Sequence, residues 1–290
     1  MVLVAGVYGE EKLSILYNNN ILCEKKITYS IMDKEIKQEK MGLIDLNDND
    51  YMNRISYFVE SSNSTKVSVL CNKGKTAFIG GFYDGKLKII NCQSNSQTPS
   101  FENITPFIEE SPLLAVEVDK EEEYLFVGNG KGNIATYKID IANNIYEPII
   151  QLYDQMSAIC NINCNDQLNM WISSSIDGYI NLYTLPLCKL IRCIKVPIKK
   201  CFYALLSSEP LPCIIVISDD DNSEIFVYSI NGKLINQKKE NFNLFNPIII
   251  KDIASKEYLV YLGQDSVYIL SLPNLEYILE MNNLKDAYRL

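Results

Sequence analysis

Histidine is absent from all 290 residues. Without an imidazole there is no Ser-His-Asp or Cys-His nucleophile, no His-ligated zinc or haem, and no side chain that ordinarily titrates near neutral pH. Long apolar runs are missing too. Stretches such as "CIIVIS" and "NPIII" are strand-sized, far below the ~20 residues of a bilayer-spanning helix. Positive charge is scarce, with 27 Lys and Arg against 36 Asp and Glu, a formal net charge of −9. Wrapping nucleic-acid phosphates needs a field of the opposite sign, so nucleic acid is not an expected partner.

What remains is ordinary for a folded chain, 47% hydrophobic and 22% charged, and long enough to bury a large core. The start, "MVLVAGVYGEEKLSILY", lacks a basic leader and meets Glu10 early, so no secretory signal is expected. Nine cysteines, an odd and scattered number, do not read as a disulfide framework. The expectation is a reducing, cytoplasmic location, with peripheral attachment to membranes left open. The sequons at Asn63 and Asn103 would then be unused.

Period-2 alternation of β-branched and aromatic residues runs through most of the chain, and long helical periodicity is hard to find. Five hairpins stand out: "TAFIGGFYDGKLKIINC", "YLFVGNGKGNIATYKI", "MWISSSIDGYINLYTL", "IIVISDDDNSEIFVYSI" and "YLVYLGQDSVYILSL". Asp-Gly and its relatives reverse such runs because a tight turn needs positive φ. The second turn residues are Gly85, Gly132, Gly178, Ser223 and Ser266, spaced by 47, 46, 45 and 43 residues. Ile90, Tyr137, Tyr183 and Tyr228 sit five places beyond the first four turns, and Leu270 four beyond the last. Inner strands are predicted at "PLLAVEVD", "QMSAICNI", "KKCFYALLS" and "NPIIIKDI", and outer strands at "CKLIRCIKV", "GKLINQKK" and "NLEYILEM". A mid-forties period of four strands marks a β-propeller blade, because one sheet cannot cover both of its apolar faces and must lean on copies of itself.

The N-terminus fits in part. "VLVAGVYGEEKLSILY" is a hairpin and "ILCEKKI" an outer strand, but no inner strand precedes them. The C-terminal "NLKDAYRL" is the expected donor of that strand, which would remove exposed sheet edges. Residues 28–62 read as a charged insertion, with one strand at Arg54–Glu60. The expected architecture is therefore all-β: one propeller domain over 1–290, with six recognisable four-stranded units in a six- or seven-bladed ring.

These repeats resemble WD40 repeats. "DGYINLYTL" and "DGKLKIIN" carry the family's turn and third strand, where Trp-Asp often closes the unit. More narrowly, 64–280 resembles the propeller at the C-terminal end of BEACH-domain, neurobeachin-like proteins, through "FIGGFYDGKLKIIN", "YLFVGNGKGNIATYKI", "SSSIDGYINLYTLPLCKLIRCIKV" and "EIFVYSINGKLI". The resemblance implies a protein-interaction scaffold in vesicle trafficking or membrane-associated assembly. There are departures. No Gly-His dipeptide or terminal Trp-Asp exists here, so the family's Asp-His-Ser/Thr-Trp hydrogen-bond network is expected to be unavailable, with Tyr137, Tyr183 and Tyr228 substituting by packing.

Apparent chemical motifs dissolve on inspection. "GNGKGN" (128–133) lacks the helix a phosphate loop needs, and "SDDDNSE" (218–224) lacks the spacing of a calcium loop. The pairs Cys160/Cys164 and Cys188/Cys193 are not spaced C-x₂-C and read as buried thiols. "KVPIKK" (195–200) reads as a solvated loop, and Trp171 as core between blades. Glu117 is a lone acid on largely apolar inner strands, so no catalytic carboxylate pair, cofactor or metal is expected, and the chain reads as a non-enzyme. In a ring of such meanders the turns between second and third strands gather on one face. That face would carry Tyr83, Asp84, Lys131, Asp177, Asp219, Asp220, Asp221 and Asp265, with Lys199 and Lys200 nearby. Its acidic excess predicts a protein or peptide partner with a basic surface. A fixed structural subunit of a large cytosolic or cytoskeletal assembly is the alternative.

Overall fold

The computed structural model describes residues 2–7, 12–17, 20–26, 65–71, 76–81, 85–91, 100–107, 111–197, 201–218, 222–263 and 266–282. Among them every regular element is a strand. β1 (Val2–Val7), β2 (Lys12–Tyr17) and β3 (Asn20–Lys26) form a three-stranded antiparallel meander. Five four-stranded antiparallel meanders follow. The first holds β4 (Thr65–Cys71), β5 (Thr76–Gly81), β6 (Leu87–Asn91) and β7 (Ser100–Ile104). The second holds β8 (Leu113–Val118), β9 (Tyr124–Asn129), β10 (Ile134–Asp140) and β11 (Ile145–Leu152). The third holds β12 (Ile159–Asn165), β13 (Met170–Ser175), β14 (Tyr179–Thr184) and β15 (Leu190–Lys195). The fourth holds β16 (Cys201–Ser207), β17 (Cys213–Ser218), β18 (Glu224–Ser229) and β19 (Leu234–Lys239). The fifth holds β20 (Phe245–Lys251), β21 (Glu257–Leu262), β22 (Ser266–Ser271) and β23 (Tyr277–Asn282).

All five predicted hairpins are present, as are the inner and outer strands read from sequence. Among the described residues five sheets have four strands and the first has three, β1–β3, in the places read as its hairpin and outer strand. The insertion at 28–62, its strand at Arg54–Glu60 and the closing strand "NLKDAYRL" lie outside the described residues.

The core lies in the seams between sheets. Phe78, Leu87 and Ile89 of the first four-stranded sheet meet Leu113, Leu125 and Tyr137 of the second. Phe126 and Ile134 meet Ile162, Trp171 and Tyr183 of the third. Ile172, Ile180 and Leu182 meet Ile214, Val216 and Tyr228 of the fourth, and Ile215 and Val227 meet Leu259 and Leu270 of the fifth. Successive residues of a strand point to opposite faces, so neighbours along β17 serve different seams, and all six of its residues are buried. This explains the unbroken apolar run "CIIVIS".

Tyr137, Tyr183, Tyr228 and Leu270 all point back into the seam with the preceding sheet, and all are buried. At all four the pairing of third and fourth strands slips by one residue, and the β2–β3 pairing does the same at Leu16. Such a bulge bends the strand and turns a side chain toward the neighbour. The recurring tyrosine is thus the seam-filling residue of the second, third and fourth four-stranded sheets, and Leu270 of the fifth.

Candidate functional site

Alternating strand direction gathers the second-to-third-strand turns and the blade-to-blade loops at one end of the molecule, and the first-to-second-strand turns at the other. Of the residues predicted for the first end, Lys131 and Asp177 are described; Tyr83, Asp84, Lys199, Lys200, Asp219, Asp220, Asp221 and Asp265 lie outside the described residues. Lys131 is exposed at the tip of the β9–β10 turn, which Asn129 organises by accepting the Lys131 and Asn133 backbone N–H groups at 3.0 and 2.9 Å. Asp177 is half-buried and its carboxylate is engaged. Ser175 Oγ donates to it at 2.5 Å and the Tyr179 N–H at 3.4 Å. Burial pushes its pKa up, but these bonds, one from Ser157 and the charge of Lys195 outweigh that and hold it below the ordinary Asp value.

The same turn carries a hydrogen-bond network that needs no histidine. Gln155, buried in the loop joining the second and third sheets, stands in for it. Its Nε2 donates to Ser175 Oγ and to the Tyr179 carbonyl, both at 3.1 Å, and its Oε1 accepts from Ser173 Oγ at 2.6 Å. Ser175 then donates to Asp177, so the chain Gln155–Ser175–Asp177 ties loop, strand and turn together. An amide offers a donor and an acceptor from one planar group, as a neutral imidazole does. Beside this network Tyr183 stacks on Trp171, centroids 4.1 Å apart, and Trp171 touches Phe126 of the second sheet at 4.8 Å. Trp171 is fully buried between blades, as its strand position suggested.

Sequence reading missed the apolar character of this end. Tyr153 (62% exposed) and Met156 (97%) lie on the Gln155 loop, with Ile176 (45%) and Tyr179 (41%) on the adjoining turn. The loops are pinned side by side by the Ile176 N–H, which donates to the Ala158 carbonyl at 2.9 Å. Lys195 Nζ sits 4.2 Å from the Tyr179 ring centroid and donates to the Asp177 carbonyl.

At the other end the inner strands β8, β12, β16 and β20 enclose a cavity of about 670 Å³. Along β12, "NINCN" places Asn161, Asn163 and Asn165 at period 2, hence on one face. All three reach the neighbouring inner strand β16. Asn161 and Asn163 Oδ1 accept the Ala204 and Leu206 N–H groups at 3.1 and 2.9 Å, and Asn165 Nδ2 donates to the Leu206 carbonyl at 3.0 Å. Side-chain amides thereby seal a strand edge that no strand pairs among the described residues. The spacing was legible; what it served was not.

At the rim, Glu257 of β21 is buried and accepts from Ser207 Oγ (2.7 Å), Ser208 N–H (2.6 Å), Ser208 Oγ (2.7 Å) and Glu209 N–H (3.1 Å). Lys251 pairs with it at 3.1 Å and also donates to Gln167. This carboxylate therefore ties the fourth sheet to the fifth, and through Lys251 reaches Gln167 of the third. Burial raises its pKa, but the hydroxyl and amide donors win and hold it down to about 2.

Glu117, expected to be a lone acid, is not one. Asp119 and Asp166 are close enough for their charges to act on it, and burial with those charges pushes its carboxyl up to about 8 despite a bond from the Cys164 backbone. Asp166 belongs to the third sheet and the other two to the second, which is why sequence spacing hid its part in the grouping. Among the described residues no group of three or more Cys, Asp or Glu is arranged to hold a metal. Cys188 is buried and Cys160 and Cys164 are partly so, whereas Cys193 is exposed.

No protein-family model matches this sequence, and no curated protein does. Among solved structures, the crystal structure of the WD40 beta propeller domain of Doa1 is similar with a TM-score of 0.57, over 75% of this chain and 68% of that one, at 13% identity. A likeness at that identity concerns architecture alone. With the four-stranded meanders and their seam-filling aromatics, it establishes that the chain folds as a WD40-type β-propeller.

Proposed function

We propose that this propeller is a non-catalytic protein-interaction scaffold, and that its partner docks on the end where the second-to-third-strand turns gather. The observation that carries this reading is the exposed set Tyr153, Met156, Ile176 and Tyr179, on pinned loops beside Asp177 and one blade from Lys131. Aromatic side chains on pinned loops supply contact area with little ordering cost on binding, and a flexible Met adapts to the surface it meets. Asp84, Asp219, Asp220, Asp221 and Asp265, with Tyr83, Lys199 and Lys200, complete the face on the sequence reading and favour a peptide or protein with a basic surface. The resemblance of the repeats to BEACH-type propellers supports a role in vesicle trafficking or membrane-associated assembly, in the cytoplasm or at a membrane surface.

Recovering bound proteins on the immobilised chain, then repeating with Met156→Glu/Tyr179→Glu, tests the face. Partner capture should fall at least about tenfold, since buried charge replaces apolar contact. Undiminished capture removes this end as the docking site. A second reading, a fixed subunit of a large assembly, draws on the apolar pairs exposed on the outer strands, such as Leu190/Ile191 and Leu234/Ile235. It predicts constant stoichiometry through high salt, whereas the scaffold reading predicts reversible, salt-sensitive capture.

A further inference from the structure

The outer strand β15 ends the third sheet, so one of its edges pairs with no strand among the described residues. The Val196 N–H donates inward to the Gly178 carbonyl at 3.0 Å. By the alternation of an antiparallel ladder, Cys193 and Lys195 therefore turn their N–H and C=O groups outward. Five of the six residues are exposed, Leu190 and Ile191 by 48% and 40%. Lys189 and Arg192 are exposed cations, and the Arg192 stem lies along the Gly232 turn of the fourth sheet. The ion pairs among the described residues are Lys238–Glu240, Lys239–Glu224 and Lys251–Glu257, and none includes them. Asp177, the acid whose charge bears on this strand, already accepts from Ser175 Oγ and the Tyr179 N–H. The outer strands of the second, fourth and fifth sheets differ. β11 is interrupted by Pro148, which has no N–H to offer. The lysines of β19 are answered by Glu240 at 3.6 Å and Glu224 at 3.3 Å, and β23 carries Glu280 and no cation.

We propose that the free edge of β15 docks an extended peptide segment in which acidic residues alternate with apolar ones, added to the third sheet as a fifth strand. The outward backbone groups of Cys193 and Lys195 supply the hydrogen bonds that edge addition requires. Charge selects the occupant. Lys189 and Arg192 flank Leu190 and Ile191, so carboxylates of the added strand meet unpaired cations while its apolar side chains cover exposed apolar surface. A second copy of β15 fits worse, because edge-to-edge pairing sets two cationic strands against each other. The formal charge of −9 is spread over the whole chain and is screened beyond about 8 Å at physiological salt, so the local cations decide. This edge is a separate surface from the turn-bearing end and meets it at Lys195, whose ammonium lies over the Tyr179 ring.

The probe is a fluorescein-labelled peptide of alternating Glu and Val, with a version carrying Lys in place of Glu as control, titrated against the full chain by fluorescence anisotropy. The Glu peptide should bind at least about tenfold tighter than the Lys peptide, and Lys189→Glu/Arg192→Glu should remove about that factor. Cys193→Pro deletes an outward N–H while leaving the β14–β15 ladder intact, and should weaken binding likewise. No binding of the Glu peptide, equal binding of both peptides, or either variant binding as the native chain does overturns the proposal. Should Cys193→Pro fail to fold, hydrogen exchange on the native chain decides. Slower exchange of the Cys193 and Lys195 amides when the Glu peptide is added supports edge addition, and unchanged exchange overturns it.

Discussion

Trp171 shows at the scale of one residue how a blade seam is made. It is fully buried, stacks on Tyr183 of its own sheet and leans on Phe126 of the sheet before. Trp171→Ala leaves an aromatic-sized void between two sheets that cannot both relax into it. A loss of about 3–5 kcal/mol is expected in urea unfolding followed by circular dichroism. Turn glycines separate two requirements that a sequence merges. Gly132 and Gly178 both have positive φ, 87° and 82°. At Gly132 an added Cβ would also strike the Gln155 backbone and lie 2.8 Å from the Ser157 carbonyl. Gly132→Ala should therefore cost clearly more than the ordinary left-handed penalty of about 1–2 kcal/mol. A loss no larger than that penalty would mean that the loop is free to retreat.

At the scale of the element, the inner strand β12 is held to β16 by its asparagines. Asn163→Ala strips the Leu206 N–H of its acceptor in a partly buried setting, with an expected cost of about 1–3 kcal/mol and faster hydrogen exchange at Leu206. Elements were the most legible part of the sequence. Strands and turns depend on local periodicity and on glycine's backbone freedom, so "DG" and the tyrosine five places beyond it predicted β13, β14 and their equivalents. "NINCN" was read only as strand, because the backbone its amides bond belongs to residues 41–43 positions away. Gln155 was overlooked for a related reason: the Ser173 and Ser175 hydroxyls that give its amide a purpose reach it only through the fold.

At the scale of the whole molecule, Glu257 and Glu117 give opposite pH signatures. Glu257, held down to about 2, contributes stability that is present above its unfolded pKa of 4.5 and lost as pH falls toward 2. Glu257→Gln should therefore melt lower than the native chain at neutral pH, with the gap closing in acid. Glu117 acts in the alkaline direction, so the native midpoint should be highest in mildly acidic solution. A single broad alkaline optimum in calorimetry would contradict the Glu117 assignment, and a Glu257→Gln gap unchanged down to about pH 2 the Glu257 one. The formal charge of −9 adds general repulsion that salt screens, so these comparisons belong at fixed ionic strength.

The amino-acid order alone determined that the described elements of this chain are strands, where its hairpins turn and how often the unit recurs, because each follows from contacts within about one period. It also determined what chemistry is foreclosed, since a side chain that is not present cannot be supplied by folding. Only the tertiary structure decided which residues act together: Gln155 in place of a histidine, asparagines closing an inner edge, and one buried carboxylate tying the fourth sheet to the fifth. The physical reason is range. Backbone preference is local, whereas desolvation, charge coupling and hydrogen bonding to another blade depend on neighbours that are neighbours only in space.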